Sequence, residues 1–384
     1  MEIRRYLGKF FICMLVVVLC VGGGNAFAGL LKAGDDKKSI EVYGQITRAI
    51  LYADDGNEGE VYNVDNDNSS TRIGLRAKYS PDGKLTIGAN LEFEYQVDPS
   101  DKVWQDDKNY SGTDADKFED RIIEAYAQGF FGTVSMGKGS TASDGTTEKD
   151  LSGTKIISAS KVHNMAGGIR FFDKTTNTLS TTKVSTVFNN LDGYSMQDRI
   201  RYDTPLFHGF QLSGSLTTGD DDAAGDDATV TDAALTYKGS IGETTVQGAV
   251  AYVNYGSTSY YKDLICGSIS VLLKSGLNAT FAAGTRDKSD STLDDSSYYY
   301  GKLGYKVTIF SVGPTAFAVD YGTYTDINRT SNNDDADTFG IFVVQNVTQW
   351  KTELYLGYRN YSLNRAGSDF EDVNAVMTGI RIKF

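Results

Sequence analysis

Residues 84–97, KLTIGANLEFEYQV, alternate apolar and polar side chains without a break. Leu85, Ile87, Ala89, Leu91, Phe93 and Tyr95 fall on one face, and Thr86, Asn90, Glu92, Glu94 and Gln96 on the other. A period of two belongs to a β-strand. The apolar face is uninterrupted, as contact with lipid demands. Residues 71–80 repeat the pattern, with Ile73, Leu75, Ala77 and Tyr79 opposite Arg72, Gly74, Arg76 and Lys78. The same grammar continues to the C-terminus in pairs of segments joined by short turns. Counting them gives about sixteen strands, or eighteen if the stretch around GGIRFF (167–172) adds a pair. The expected fold is all-β, a transmembrane antiparallel barrel with an even strand number.

The connectors sort into two kinds. Short turns hold three of the four prolines, as at Pro81, Pro205 and Pro314, where a fixed φ starts a tight reversal. Long connectors carry acid runs, including Asp54-Asp55, Asp106-Asp107, Asp220-Asp221-Asp222, Asp226-Asp227, Asp294-Asp295 and Asp334-Asp335. Tight turns at one end and large charged loops at the other match the periplasmic and outer ends of a bacterial barrel. Tyr79, Tyr95, Tyr237, Tyr252, Tyr255, Tyr305, Tyr321 and Tyr358 near strand ends read as interfacial girdles.

Residues 1–28 read as a cleaved secretory signal. Arg4, Arg5 and Lys9 precede a short apolar run at 10–21, and Ala26-Phe27-Ala28 supplies the cleavage site. One barrel domain, 29–384, follows. Without the signal the formal charge of −13 becomes about −15, which argues against nucleic acid as a partner. Cys13 and Cys20 leave with the signal, so Cys266 stands alone; its parity points to the lumen, as packing. No Cys/His cluster has metal-ligand spacing, and no cofactor is expected. His163 and His208 are too far apart to suggest a catalytic constellation, and the chain does not read as an enzyme.

After the strand pair at 121–138 comes a long polar excursion beginning GSTASDGTTEKDLSGTKIISASK (139–161). An unstructured loop of that length is uncommon and usually functional. The preceding segment, EAYAQGFFGTVSMGK (124–138), resembles the general diffusion porins of Gram-negative outer membranes. STRIGLR (70–76) is similar to that family's second strand, RIRYDTPLFHGF (199–210) to the hairpin after its inward loop, and Phe384 to its terminal aromatic, the signal for the barrel-assembly machinery. The resemblance implies a sixteen-stranded homotrimeric barrel integral to the outer membrane, in contact with lipid and lipopolysaccharide. Its third loop, about 139–194, would fold into the bore. Ile123 stands where some relatives carry an inward arginine.

Function follows from that architecture: a water-filled pore for passive diffusion of ions and small hydrophilic solutes. A pore selects by bore, charge rings and local field. The basic wall is assigned to Arg72, Arg76, Lys78, Arg121, Arg199 and Arg201, all on polar faces. The acidic side of the constriction is assigned to Asp144, Glu148 and Asp150 on the loop, where Lys149 mixes the charge. Negative charge at the mouth implies a weak preference for cations. The acid runs serve solvation; divalent cations such as calcium, bridging loops or lipopolysaccharide phosphates, are the alternative occupants. Two rival functions stay open. One is a substrate-selective porin, for example for sugars, although alternation sends Tyr299 away from Tyr298 and Tyr300. The other is a plugged structural or adhesive barrel.

Overall fold

The computed structural model describes residues 32–113, 117–218, 229–256, 260–328 and 333–384. The signal segment and the acid runs at 220–222 and 226–227 lie outside the described residues. Five strands form the first part: β1 (Lys32–Gly34), β2 (Lys38–Asp54), β3 (Gly59–Val64), β4 (Arg72–Tyr79) and β5 (Thr86–Tyr95). Next come β6 (Phe118–Gly129), β7 (Gly132–Gly139), β8 (Arg170–Asp173), β9 (Thr178–Lys183), β10 (Gln197–Asp203), β11 (Phe210–Thr218) and β12 (Thr229–Ile241). The last part holds β13 (Thr244–Asn254), β14 (Tyr261–Leu272), β15 (Leu277–Lys288), β16 (Ser296–Phe310) and β17 (Gly313–Thr325). β18 (Asp334–Val347), β19 (Thr352–Arg365) and β20 (Val373–Lys383) complete the chain.

β2, β4–β7 and β10–β20 pair antiparallel in succession, and β20 returns to β2, so sixteen strands close a barrel. Closure leaves no unpaired edge in the hydrocarbon, which a strand wall in lipid requires. At the seam Gln45 pairs with Lys383, and Gly44 and Phe384 exchange both backbone hydrogen bonds, at 3.2 and 3.0 Å. The Phe384 ring lies against Gly44, where a Cβ would come 2.7 Å from ring Cζ, so only glycine admits it. β1 and β3 are short additions to the edges of β2.

The excursion does add a strand pair, but not to the wall. β8 and β9 form their own hairpin, separate from the wall, and contact the β19–β20 loop through Asp173 and Phe370. The eighteen-stranded alternative therefore does not hold.

Alternation sorts the side chains as expected. Ile87, Ile200, Ile265, Leu303 and Ile341 point outward and are each more than half exposed, forming the lipid-facing band. Tyr299 is 56% exposed while Tyr298 and Tyr300 are buried inside. Cys266 also faces inward, against the Thr146 hydroxyl of the excursion at 3.3 Å. Tyr79, Tyr95, Tyr252, Tyr305 and Tyr321 sit on the outer face. Tyr255 does not: it is buried inside, edge-on to Tyr194 and tilted against Tyr261, because its strand ends where the excursion packs.

The hydrophobic core lies within the barrel. Ile157, Met165, Ile169, Phe171 and Phe188 of the excursion pack against inward Tyr298, Tyr324, Tyr361 and Leu51. Phe188 meets Tyr324 and Tyr361 edge-on, with ring centroids 5.0 and 5.1 Å apart. Replacing outward Leu303 by arginine should cost about 2–4 kcal/mol if that position lies near the bilayer midplane, whereas Gln247→Arg on the lumen face of β13 should be near neutral. Urea titration of the protein refolded into lipid vesicles checks the contrast; equal losses would contradict the assigned faces.

Candidate functional site

Residues 140–196 join β7 to β10 and run down the inner wall. A loop inside a barrel must still satisfy its backbone polar groups. Here small lumen-facing side chains of successive strands supply the partners. The Ala142 amide donates to Ser215 Oγ (2.9 Å), the Ser143 amide to Asp232 (2.7 Å), the Lys149 amide to Ser268 Oγ (3.0 Å) and the Leu151 amide to Ser270 Oγ (2.9 Å). Further round, Tyr361 donates its hydroxyl to the Val162 carbonyl (2.7 Å), and Asn66 donates to the Ile156 carbonyl (2.8 Å).

A buried ionic cluster fixes the lowest part of the loop. Lys302 holds Asp150 at 2.7 Å, with both side chains almost fully buried, and also donates to the Ser158 carbonyl. Ser158 donates to Asp320 (2.7 Å), which accepts from Tyr300 (2.8 Å) and Arg359 (2.7 Å) as well. Charge this deep survives only when paired and hydrogen-bonded. Asp150 is held below its ordinary range: burial opposes ionisation, but the Lys302 ammonium outweighs it.

With the loop on the walls of β11–β19, the open side of the bore is the arc of β4–β7 and β10. Its guanidiniums are paired with carboxylates. Arg121 bridges Glu92 (2.9 Å) and Glu94 (2.7 Å), Arg72 lies 3.6 Å from Glu92, and Arg201 binds Asp203 at 2.8 Å. Arg199 is nearly buried on Glu124, and outside the arc, on β20, Arg381 binds Glu353. Arg76 stacks 3.7 Å above the Tyr43 ring and reaches Glu41 at 3.8 Å; Lys78, lower on the same strand, is exposed. A bulge opposite Glu92 and Phe93 turns Arg121 inward, and Ile123 faces out, 43% exposed. The inward charge on β6 thus sits at Arg121 and Glu124.

The three loop acids separate. Asp150 faces the covered wall through Lys302 rather than the arginines. Glu148 pairs with Lys155 of its own loop at 2.9 Å. Asp144 lies within the field of Arg121, and burial raises its carboxyl. The wall carboxylates Glu92, Glu94 and Glu124 and the latch residues Lys302, Asp320 and Arg359 had no separate sequence signal, since parity marks a face and not a partner. Lys161 stands among Asp67, Glu148 and Asp101, which raise its ammonium despite burial. His163 is kept neutral by burial, pushed down to about 3, with a ring nitrogen on the Phe188 carbonyl. Among the described residues no group of three or more His, Cys, Asp or Glu could hold a metal ion.

Residues 16–366 match the family model described as Gram-negative porin. Among curated protein sequences none matches. The anion-selective porin from Comamonas acidovorans superposes with a TM-score of 0.57 at 16% identity, covering 91% of this chain and 100% of that one. The outer-membrane expressed OmpT of Vibrio cholerae gives 0.56 at 14% identity, with 92% and 100% covered. Salmonella typhi OmpF in complex with daunomycin gives 0.56 at 11% identity, again with 92% and 100%. At these identities the likeness is one of fold.

Lys302→Met leaves Asp150 buried without its cation, a loss of about 3–5 kcal/mol for a buried pair. Hydrogen exchange at 145–160 should speed up accordingly, and adding Asp150→Leu should restore most of the protection. Unchanged exchange in the single variant would show that the latch does not hold the loop.

Proposed function

The chain belongs to the Gram-negative porin family and forms an integral outer-membrane channel, and from that premise we propose a charge-filtered path for passive diffusion of ions and small hydrophilic solutes. The observation that carries this reading is the position of the excursion. It lines the walls of β11–β19 and leaves a polar, charged passage along β4–β7 and β10. Arg72, Arg121, Arg199 and Arg201 on one side and Asp144 and Glu148 on the loop act as the filter in this reading. A trimer of such barrels is the proposed assembly, as in the trimer form of the Vibrio cholerae relative.

The pore is proposed to prefer cations weakly. Wall guanidiniums are matched by wall carboxylates, so the unbalanced charge sits at the mouth, on exposed acids such as Glu58, Asp106, Asp294 and Asp335. A negative rim raises the local cation concentration. Planar-bilayer recording should give stepwise ohmic current, with a reversal potential in a KCl gradient on the cation side. Current carried mainly by anions would reject the preference while leaving the channel in place.

Proton uptake should modulate that bias. Asp101 is pushed up to about 7 by burial and by the neighbouring Asp67 carboxylate, and Asp192 to about 7 by burial and by Glu148 and Asp144. Above pH 7 both carry charge; below it they become neutral, so the negative field of the loops falls as pH falls. The reversal potential in a fixed KCl gradient should therefore move toward zero between pH 8 and pH 5.5. The Asp101→Asn, Asp192→Asn double variant should flatten most of that shift, and an equally steep profile in the variant would count against these groups.

A further inference from the structure

On the open side of the bore, β5, β6, β7, β10 and the first residue of the excursion enclose a recess of about 370 Å³. That is within the range of small-molecule sites, roughly 300–1,000 Å³. Its floor is an aromatic ring. A Cβ at Gly88 would lie 2.3 Å from Tyr126 Cζ, so the ring occupies the space over this wall glycine, and Tyr126 lines the recess. No described residue hydrogen-bonds its hydroxyl.

The polar groups around the ring are charged yet balanced. Arg199 is paired with Glu124 and Arg201 with Asp203, two ions of each sign. Glu124 also accepts from Asn90 at 2.7 Å, and Arg201 donates to the Thr141 carbonyl at 2.6 Å. These bonds fix the side chains in advance of any solute. Asp203 Oδ1 is filled by Arg201 and the Ser213 hydroxyl, but both Glu124 oxygens and Asp203 Oδ2 each keep a free lone pair, and Arg201 retains an N–H beyond those its partners use. The recess therefore offers donors and acceptors together, at no net charge. An ionic solute would gain from one member of each pair what it loses to the other.

We propose that this recess is a weak binding subsite for uncharged cyclic polyols, pyranose sugars above all. The C–H face of such a ring is apolar and stacks on a tyrosine, while its hydroxyls ring the edge and need both donors and acceptors. Tyr126 takes the face, Glu124 and Asp203 accept from hydroxyls, and Asn90 and Arg201 lie at the edge. The assignment differs from a track of Tyr298 and Tyr300, which lie buried behind the excursion. It rests on the channel reading only in that the solute reaches the recess through the bore.

The test uses the full mature protein in a planar bilayer with maltose as probe and an ethylene glycol oligomer of equal mass as control. Saturable block of the KCl current by maltose and not by the oligomer is expected, scaled to each variant's own open current. Tyr126→Ala should raise the half-blocking concentration at least fivefold, and Tyr299→Leu on the outer face should not. Current that falls equally with both solutes, in step with viscosity, overturns the subsite while the channel stands. A silent barrel overturns the channel reading instead. Saturation-transfer NMR in a sugar-free detergent then decides the subsite: transfer to pyranose protons that disappears in Tyr126→Ala supports it, and no transfer in the parent protein overturns it.

Discussion

Every part of this molecule depends on one constraint: no backbone N–H or C=O may be left unpaired where water is excluded. The strand wall meets it by closing on itself at Gly44 and Phe384. The excursion meets it by borrowing. Ser215, Asp232, Ser268 and Ser270 are lumen-facing residues whose side chains take the place of a neighbouring strand for the loop backbone. Wall and loop are therefore one hydrogen-bonded system, and the bore is fixed by the same bonds that hold the loop.

The ion pairs divide by their access to water. Those of the latch, Lys302–Asp150 and Arg359–Asp320, are almost fully enclosed. Their worth lies in specifying one seat for the loop, because either partner alone would be costly there. Of those in the open arc, Arg121 with Glu92 and Glu94 leaves 23% of its side chain exposed, while Arg199 on Glu124 is nearly buried. Pairs open to water add little stability. Together the arc pairs match its guanidiniums with carboxylates one for one.

Strand number, turn placement, the long-loop end and the inward loop were legible in alternation and connector length. So were single parities, such as Tyr299 outside and Cys266 inside. The rest depended on contacts that no period encodes. Ile123 illustrates the limit: a single bulge at Arg121 changes which residue of β6 meets the lumen. Asp150 is another, since its position in a polar loop next to Glu148 says nothing about the lysine waiting on β16. Tyr255 reads like any tyrosine at a strand end, and only the packing of Tyr194 from the excursion draws it inside.

The lumen faces themselves divide into two arcs, and the division explains the excursion. Strands β12–β20 present Val230, Ala251, Leu264, Ala282, Ala318, Phe342 and Ala375 to the interior, residues with no use for a water-filled bore. Strands β4–β7 and β10 present Arg72, Asn90, Glu92, Glu124, Tyr126 and Arg201 instead. An apolar inner arc needs an apolar cover, and Ile157, Met165, Ile169, Phe171 and Phe188 supply it. This is also why alternation fades in β20, where Met377 inside and Val376 outside are alike in chemistry. The length of the excursion, the off-centre passage and the weak pattern of the last strands share one cause: half of this barrel's interior is built as a protein core, and only the other half is left to water.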